Sequence, residues 1–467
     1  MNVQDTICAI ATAQGGAIGI IRVSGPEAIS ATDRIFRPTG ADTPSLSGRK
    51  AYTLAFGSIL DPETGETVDE VLVSLFRAPH SYTGEDATEI SCHGSSYILQ
   101  RVMQLLLRCG CRAAGPGEFT QRAFLHGKMD LSQAEAVADL IASTSAASHR
   151  LAMNQMRGGF SRQLAGLRDQ LLHLTSLMEL ELDFSDHEEL EFADRSELSA
   201  LTRRIEEVIR RLTESFRMGN ALKNGIPVAI IGATNAGKST LLNALLNEDK
   251  AIVSDIHGTT RDVIEDTMVL DGILFRFIDT AGIRTTSDRI EALGIERSFK
   301  ALQQADIVLL MYDLERGEEE FRRFYSEICP YLQGKQVVLV MNKCDKAAAP
   351  TSLPAFLDAS WCRWHPLAVS ARERLHLDEL QSLLVRLAAV PQLSAADVIV
   401  TNLRHYEALS HALDAIGRVQ EGLETGLPGD LISQDLRECI YHLSDIVGEV
   451  TTDQVLGNIF SHFCVGK

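Results

Sequence analysis

Across residues 1–120, apolar and polar positions alternate in short runs such as IGIIRVSG, AYTLAFGSIL and EVLVSLFRA, parted by Pro-, Gly- and Asp-rich turns. A period of two broken this way predicts half-buried strands and an α+β domain. The period then changes. Apolar positions spaced by three and four, among them Leu151, Leu164, Leu167, Leu171, Leu174 and Leu177, predict amphipathic helices packed in a bundle. Ser132, with Glu135 three positions on, fits a capping box and predicts the first helix start there. A further helix is expected over 197–217. Buried-strand runs follow in IPVAII, ILFRFI, QVVLVM and WHPLAV, and a helix carrying Leu375, Leu377, Leu380, Leu383 and Leu384 closes that region. Beyond it, Leu403, Tyr406, Leu409, Leu413 and Ile416 keep one helical face, and Leu436, Ile440, Leu443 and Ile446 another. Two short helical pieces would each struggle to close a core alone. The expected architecture is therefore a multidomain α+β and α/β chain: an N-terminal domain over 1–120, a discontinuous helical domain over 121–217 and 388–467, and an α/β domain inserted at 218–387.

Composition narrows the partners. The 467 residues hold 63 acids against 44 bases, a net charge of −19, which excludes a broad electrostatic footprint for nucleic acid. Any RNA contact must be local or delegated to a partner. The nine cysteines are scattered without CxxC pairs, and the N-terminus lacks the basic-then-apolar order of a signal peptide, which points to a reducing cytoplasm. No apolar run approaches the roughly 20 residues that a membrane helix requires. Residues 179–198 carry nine acids against one arginine and read as a solvated acidic loop.

The most specific chemistry sits in IPVAIIGATNAGKST, residues 226–240, a strand, a Gly-rich turn and a helical start. This is the phosphate-binding loop with its expected flanks. Successive N–H groups between Gly232 and Lys238 can point at phosphate oxygens, and the following helix adds its positive end. Lys238 is expected on the β- and γ-phosphates and the Ser239 hydroxyl on Mg²⁺, with Asn235, Ala236, Gly237 and Thr240 completing the loop's contacts. Asp279, Thr280, Ala281 and Gly282 read as the second Mg²⁺-side carboxylate followed by a γ-phosphate-sensing turn. Asn342, Lys343 and Asp345 end another strand. A carboxylate at Asp345 can accept from the N1 and 2-amino groups of guanine, which adenine cannot supply, so the base is that of GTP or GDP. Ser370, Ala371 and Arg372 fit a loop closing over the guanine, and Thr260, within Gly258-Thr259-Thr260, supplies a Mg²⁺ ligand in a switch segment.

Ile283 follows Gly282 where Ras-like enzymes carry the glutamine that orients water. Catalysis must come from elsewhere. Asn235 can hold a cation against the phosphates, or can be a turn residue tolerating an unusual backbone angle. Asp288, Glu291 and Glu296 lie just beyond the switch.

GATNAGKS, IVSDIHGTTRD, DTAGIR, IEALGIERS, NKCD, GIIRVSG, SYTGEDATEISCHG, PGEFTQRAFLHGKMDLSQAEAVADLI and the terminal CVGK together resemble the MnmE (TrmE) family of tRNA uridine-modifying GTPases over nearly the whole chain. The resemblance implies a folate-binding and dimerising N-terminal domain, a split helical domain, an inserted Ras-like GTPase domain and a homodimer. It also implies a MnmG-like FAD partner, joined in a heterotetramer, that helps build an aminomethyl or carboxymethylaminomethyl group on the wobble uridine of certain tRNAs. It places K⁺ on Asn235, Ser254, Ile256 and Thr259 and Mg²⁺ on Ser239 and Thr260, brings Asp255, His257 and Gly258 to the nucleotide, and gives Glu291 the hydrolytic water. For 5-formyl-tetrahydrofolate or a related one-carbon donor it implies Arg22, Glu89, Lys128 and Lys467, with Cys464 beside the one-carbon unit. Three departures touch affinity: Thr234 where proline is usual, ATAQGGAIG in the N-terminal segment, and His257 for a small residue.

Two other classes share some of these motifs. A ribosome-assembly GTPase of the Era or EngA type calls for a basic RNA-binding appendage, which the charge disfavours. A bare GTP-dependent switch leaves Cys464 without chemistry, as a small core residue.

Overall fold

The computed structural model describes residues 4–13, 15–40, 44–183, 195–248, 266–278, 301–350, 353–354, 356–357, 362–388, 398–450, 452–461 and 463–466. They divide into two compact units, Met1–Ile141 with Gln155–Glu206 and His411–Lys467, and Ala142–Asn154 with Glu207–Ser410.

The first unit is built on a seven-stranded sheet in the order β3-β4-β5-β6-β2-β1-β7. Its strands are β1 Ile7–Ile10, β2 Ile18–Ser24, β3 Phe36–Pro38, β4 Thr53–Leu60, β5 Thr67–Phe76, β6 Ala87–His93 and β7 Arg112–Ala113. Alternate residues of β4 and β5 are buried, as their period of two predicts. Helices α1 (Ala28–Ile35) and α2 (Ser96–Arg108) cover one face, where Leu99, Val102 and Leu106 join Val23, Val73 and Ile90 in one core. The other face leaves Leu54, Phe56 and Leu72 65%, 51% and 45% exposed.

Helices α3 (Glu118–Leu125) and α4 (Leu131–Ala142) follow. The capping box lies two residues earlier than expected: the Gln133 amide donates to Asp130 Oδ1 at 2.9 Å and the Asp130 amide donates to Gln133 Oε1 at 3.0 Å. Packing explains the shift. Leu131 is buried with Leu456 and Phe460, which brings the first turn forward and leaves Ser132 buried inside the helix. In the same unit α6 (Gly159–Asp183) packs along α12 (Gly429–Val447), and the ion pairs Arg437–Glu179 and Arg168–Glu449 join the segments on either side of the α/β region. The chain ends in α13 (Asp453–Ser461) and a short tail.

The second unit holds a six-stranded sheet in the order β13-β12-β11-β8-β10-β9. The strands are β8 Ile226–Gly232, β9 Asp266–Leu270, β10 Ile273–Ile278, β11 Ile307–Asp313, β12 Gln336–Asn342 and β13 Arg363–Val369, and only β9 runs antiparallel to its neighbour. Helices α8 (Lys238–Glu248) and α10 (Leu377–Leu387) cover one face, and α9 (Glu318–Ile328) covers the other. All seven residues of β11 are buried, so the run IVLLMYD shows no alternation. Helix α7 (Arg195–Asn224) runs past the expected end at 217, because Met218 and Leu222 pack on Ala147 and Leu151 of α5 (Ala146–Met156) and on Ile399. Helix α11 (Leu403–Thr425) follows the sheet. Among the described residues no helix is long and apolar enough to cross a membrane.

Candidate functional site

Strand β8 lies between β11 and β10, and the chain leaves it through α8. Successive crossovers therefore diverge at its carboxyl end, which opens the crevice where open parallel sheets take ligands. Residues 233–237 fill that turn. Two of them have left-handed backbone, Asn235 with φ +62° and Gly237 with φ +96°. Asn235 is thus the turn residue its type allows, and its exposed side chain stays available. At Gly237 a Cβ would stand 2.2 Å from Asn342 Nδ2, so only glycine fits.

Asn342 explains this closeness. It ends β12, its Nδ2 donates to the Ala236 carbonyl at 2.9 Å, and its Oδ1 accepts from the Ala371 amide at 3.1 Å. One buried carboxamide thereby ties the phosphate loop to the loop after β13. That second loop is shaped by Ser370, which exchanges backbone hydrogen bonds with Leu375 at 3.2 and 3.1 Å. Lys343, with φ +69°, places Nζ 2.7 Å from Asp313 Oδ2 and 2.8 Å from Glu315 Oε2. These carboxylates raise its pKa, Asp313 most. Asp345 is exposed beyond this clamp, as is Arg372 across the crevice.

Lys238 opens α8, where its Nζ donates to the Gly232 and Ala233 carbonyls at 2.7 and 2.9 Å. Burial pulls its ammonium below the usual lysine value, and an anion among the loop amides would repay that desolvation. Ser239 is half-buried in the first helical turn and Thr240 is exposed. Asn235, Ala236, Gly237, Lys238, Ser239, Asn342, Lys343 and the 370–372 loop thus gather at the carboxyl ends of β8, β12 and β13. Ser254, Asp255, Ile256, His257, Gly258, Thr259, Thr260, Asp279, Thr280, Ala281, Gly282, Glu291 and Lys467 lie outside the described residues.

A second constellation occupies the first unit. Arg22 on β2 and Glu89 on β6 are direct cross-strand partners, with Arg22 Nε and Nη2 2.9 and 2.8 Å from Glu89 Oε1. The Arg22 guanidinium lies 5.5 Å from the Tyr82 ring centroid and 5.6 Å from that of Phe119. The chain terminus reaches the same place. Pro116 pairs with Val465, the Gly117 amide donates to the Cys464 carbonyl at 3.3 Å, and Arg22 Nη1 donates to the Gly466 carbonyl at 3.4 Å. Gly466 has φ +92°, and a Cβ on it would meet the Ile10 carbonyl oxygen at 2.6 Å. Cys464 is exposed, and so the alternative of a small core residue is corrected here. Lys128 sits on the 79–84 loop, with Nζ donating to the Pro79 carbonyl at 2.9 Å, while Tyr82 of that loop faces Arg22.

Residue patterns gave no sign of Tyr82, Phe119 or the buried network beside them. Arg122, only 3% exposed, binds Asp5, Glu85 and Glu118, and Arg112 joins Asp5 and Glu118. Arg112 above all holds the Asp5 carboxyl below its usual range. Burial opposes ionisation of Glu118, yet Arg112, the Gly115 amide and Arg122 together keep it low as well. Tyr82 and Glu85 lie within SYTGEDATEISCHG and Glu118, Phe119 and Arg122 within PGEFTQRAFLHGKMD, with Asp5 and Arg112 outside both, and nothing in their spacing announces that these stretches meet.

The parallel sheet, the glycine-only loop and the Asn342 tie define a P-loop GTPase, a GTP hydrolase carrying an additional α+β and helical unit. Residues 6–128 match the family model described as GTP-binding protein TrmE N-terminus, and residues 131–464 match that of the MnmE helical domain. A protein of Parabacteroides distasonis described as tRNA modification GTPase MnmE is 69% identical, covering 99% of this chain and 100% of its own length. Proteins with the same description from Bacteroides fragilis and Flavobacterium johnsoniae are 64% and 51% identical, each over 99% of this chain and 100% and 99% of their own lengths. The chain belongs to the MnmE family of tRNA modification GTPases. With that membership the ribosome-assembly and bare-switch alternatives fall away. Era, in a crystal structure with MgGDPNP and a 16S ribosomal RNA fragment, is 28% identical over 40% of this chain and 65% of its own, with a TM-score of 0.25.

Proposed function

We propose that this GTPase works in the cytoplasm as a homodimer with a MnmG-like FAD protein, and that together they install an aminomethyl or carboxymethylaminomethyl group at C5 of the tRNA wobble uridine. The observation that carries this reading is the Gly466 carbonyl accepting from Arg22, the cross-strand partner of Glu89, with Cys464 two residues before it, because it gives Cys464 a ligand site to serve. Glu89 can accept from the amide edge of a pterin, and Arg22 and Lys128 suit the carbonyl and glutamate groups of 5-formyl-tetrahydrofolate or a related donor. The folate supplies a one-carbon unit when bound. Exposed Leu54, Phe56 and Leu72 on the uncovered face of the first sheet support the dimer.

In the GTPase domain, Lys238 exchanges its loop carbonyls for phosphate oxygens, Ser239 and Thr260 hold Mg²⁺, and Asp345 selects guanine. Attack of water on the γ-phosphorus breaks the bond to the β–γ bridging oxygen and releases GDP and phosphate. Glu291 positions that water, since Ile283 cannot. Asn235, Ser254, Ile256 and Thr259 would hold a K⁺ beside the Mg²⁺ site, and the bound cations would supply the positive charge that an arginine finger supplies elsewhere, an effect worth ~10³ or more in rate. Juxtaposed GTPase domains are expected to complete this arrangement.

Mass spectrometry of wobble uridines from cells with and without this chain tests the reading, which predicts loss of the C5 group in its absence. GTPase rates in K⁺ and Na⁺ at equal ionic strength test the cation, and equal rates would remove it from the mechanism. In Asn235→Ala the K⁺ advantage should vanish while GDP affinity persists.

A further inference from the structure

Arg22 is already engaged on several sides. Its Nε and Nη2 both reach Glu89 Oε1, at 2.9 and 2.8 Å, and its Nη1 donates to the Gly466 carbonyl at 3.4 Å. The guanidinium is therefore no free cation for an anionic group. A fork-to-fork pair uses both carboxylate oxygens and fixes both planes. Here one oxygen takes both nitrogens, so the guanidinium can swivel about Oε1 unless something else holds it. Among the described residues Glu89 Oε2 has no partner. The pair thus carries no net charge and offers one open acceptor, which suits an uncharged edge of hydrogen-bond donors.

Two aromatic rings supply the missing restraint. The Arg22 guanidinium lies over the rings of Tyr82 and Phe119, 5.5 and 5.6 Å from their centroids. Phe119 is fully buried in a core with Ile7, Ala9 and Ala114. Tyr82 comes instead from the loop between β5 and β6, and its hydroxyl is hydrogen-bonded to Thr120 of α3 at 2.8 Å. The residues after it are tied down as well. Thr83 Oγ1 lies 2.6 Å from Ser24 Oγ, Ser24 donates to Glu85 Oε2 at 2.7 Å, and His126 Nδ1 donates to the Thr83 carbonyl at 2.8 Å. Ser24 and Arg22 are two positions apart on β2, so they share a face, and loop and guanidinium are held to one strand. Gly84 lets the loop close on the end of α3: its φ is +80°, and a Cβ there would stand 3.0 Å from His126 Cβ.

We propose that Tyr82 is a positioning residue for the folate site: its ring, anchored through Thr120, stops the Arg22 guanidinium from swivelling, so that Glu89 Oε1 stays clamped and Oε2 stays presented to the donor edge of the ligand. The inference rests on the folate reading of this site. A cation is drawn to the face of an aromatic ring, which gives the contact the direction that a single shared oxygen lacks. Tyr82 acts through Arg22 and Glu89 and need not touch the ligand.

Two measurements on the full chain test this. Calorimetry follows 5-formyl-tetrahydrofolate binding in wild type, Tyr82→Leu, Tyr82→Phe, Glu89→Gln and the double variant of Tyr82→Leu with Glu89→Gln. Tyr82 is 37% exposed, so Tyr82→Leu should keep the wild-type melting temperature and GDP affinity. It should weaken the ligand about tenfold, the scale of a partly buried cation–π contact, whereas Tyr82→Phe keeps a ring and should stay within about threefold of wild type. Once Glu89→Gln has weakened the clamp, Tyr82→Leu should cost less than about a further twofold, because residues acting through one another are not additive. Additive losses, or an unchanged affinity in Tyr82→Leu, would overturn the proposal. The nuclear magnetic resonance signal of the Arg22 Nε–H group, assigned by its loss in Arg22→Lys, reports on the guanidinium without ligand. It should move in Tyr82→Leu and hold in Tyr82→Phe, and a signal unmoved in Tyr82→Leu would likewise overturn the positioning role. A wild type that binds no 5-formyl-tetrahydrofolate, with the Arg22 signal moving as expected, overturns the folate reading and the ligand role of Tyr82 with it, while the hold on Arg22 stands.

Discussion

Asp345 shows how far a single side chain can be read. Its proposed role rests on hydrogen-bond complementarity: a carboxylate accepts two donors from guanine, whereas a carboxamide offers one acceptor and one donor. Asp345→Asn should therefore shift preference from GTP to xanthosine triphosphate, measured by competition against a fluorescent nucleotide, and unchanged GTP affinity would speak against the assignment. Glu89 requires the neighbouring strand as well. It shares Oε1 with two nitrogens of Arg22, so Glu89→Ala removes the proposed pterin acceptor and releases the guanidinium together. Calorimetric titration of 5-formyl-tetrahydrofolate should show binding weakened by about a hundredfold, the scale of a charged hydrogen bond. Undiminished binding would refute the site.

At the scale of elements, the phosphate loop illustrates a segment whose shape comes from its own residues and from one neighbour. Strand, Gly-rich turn and helix are consecutive in sequence, so the motif predicts its own geometry. The tightness at Gly237 comes instead from Asn342, on a strand two places away in the sheet. Gly237→Ala would need a left-handed alanine and would displace the Asn342 carboxamide from Ala236 and Ala371. Strain of roughly 1–3 kcal/mol predicts at least a several-fold loss of GTP affinity. Because Asn342 also ties the 370–372 loop, hydrogen exchange should rise there too. The capping of α4 makes the complementary point: Asp130 and Ser132 are both good caps by type, and burial of Leu131 decides between them.

For the molecule as a whole, the Arg112–Asp5–Arg122–Glu118 network should govern acid stability of the first unit. Asp5 and Glu118 have folded pKa values below their unfolded ones of about 3.9 and 4.3. Their contribution is thus fully present above about pH 5 and lost as pH falls through the depressed folded values. Arg122→Met leaves buried carboxylates without their partner and should cost about 3 kcal/mol at neutral pH. Thermal or urea denaturation from about pH 7 to pH 3 should show the gap between wild type and variant narrowing as the carboxylates protonate. A gap independent of pH would mean that packing, not charge, makes Arg122 important.

By itself the sequence determined what is local: the order of strands and helices, the phosphate loop, the NKCD stretch at the end of β12 and the change from a period of two to one of three and four. Such features depend on residues a few positions apart, whose spacing is set by backbone geometry. Only the tertiary structure decided which distant stretches meet. Arg22 touches Gly466 across 444 positions, and Tyr82 from a loop and Phe119 from α3 close on the same guanidinium. No period along the chain encodes these contacts, because they arise when the sheet and the helices bury their apolar faces and carry the polar residues between them into place.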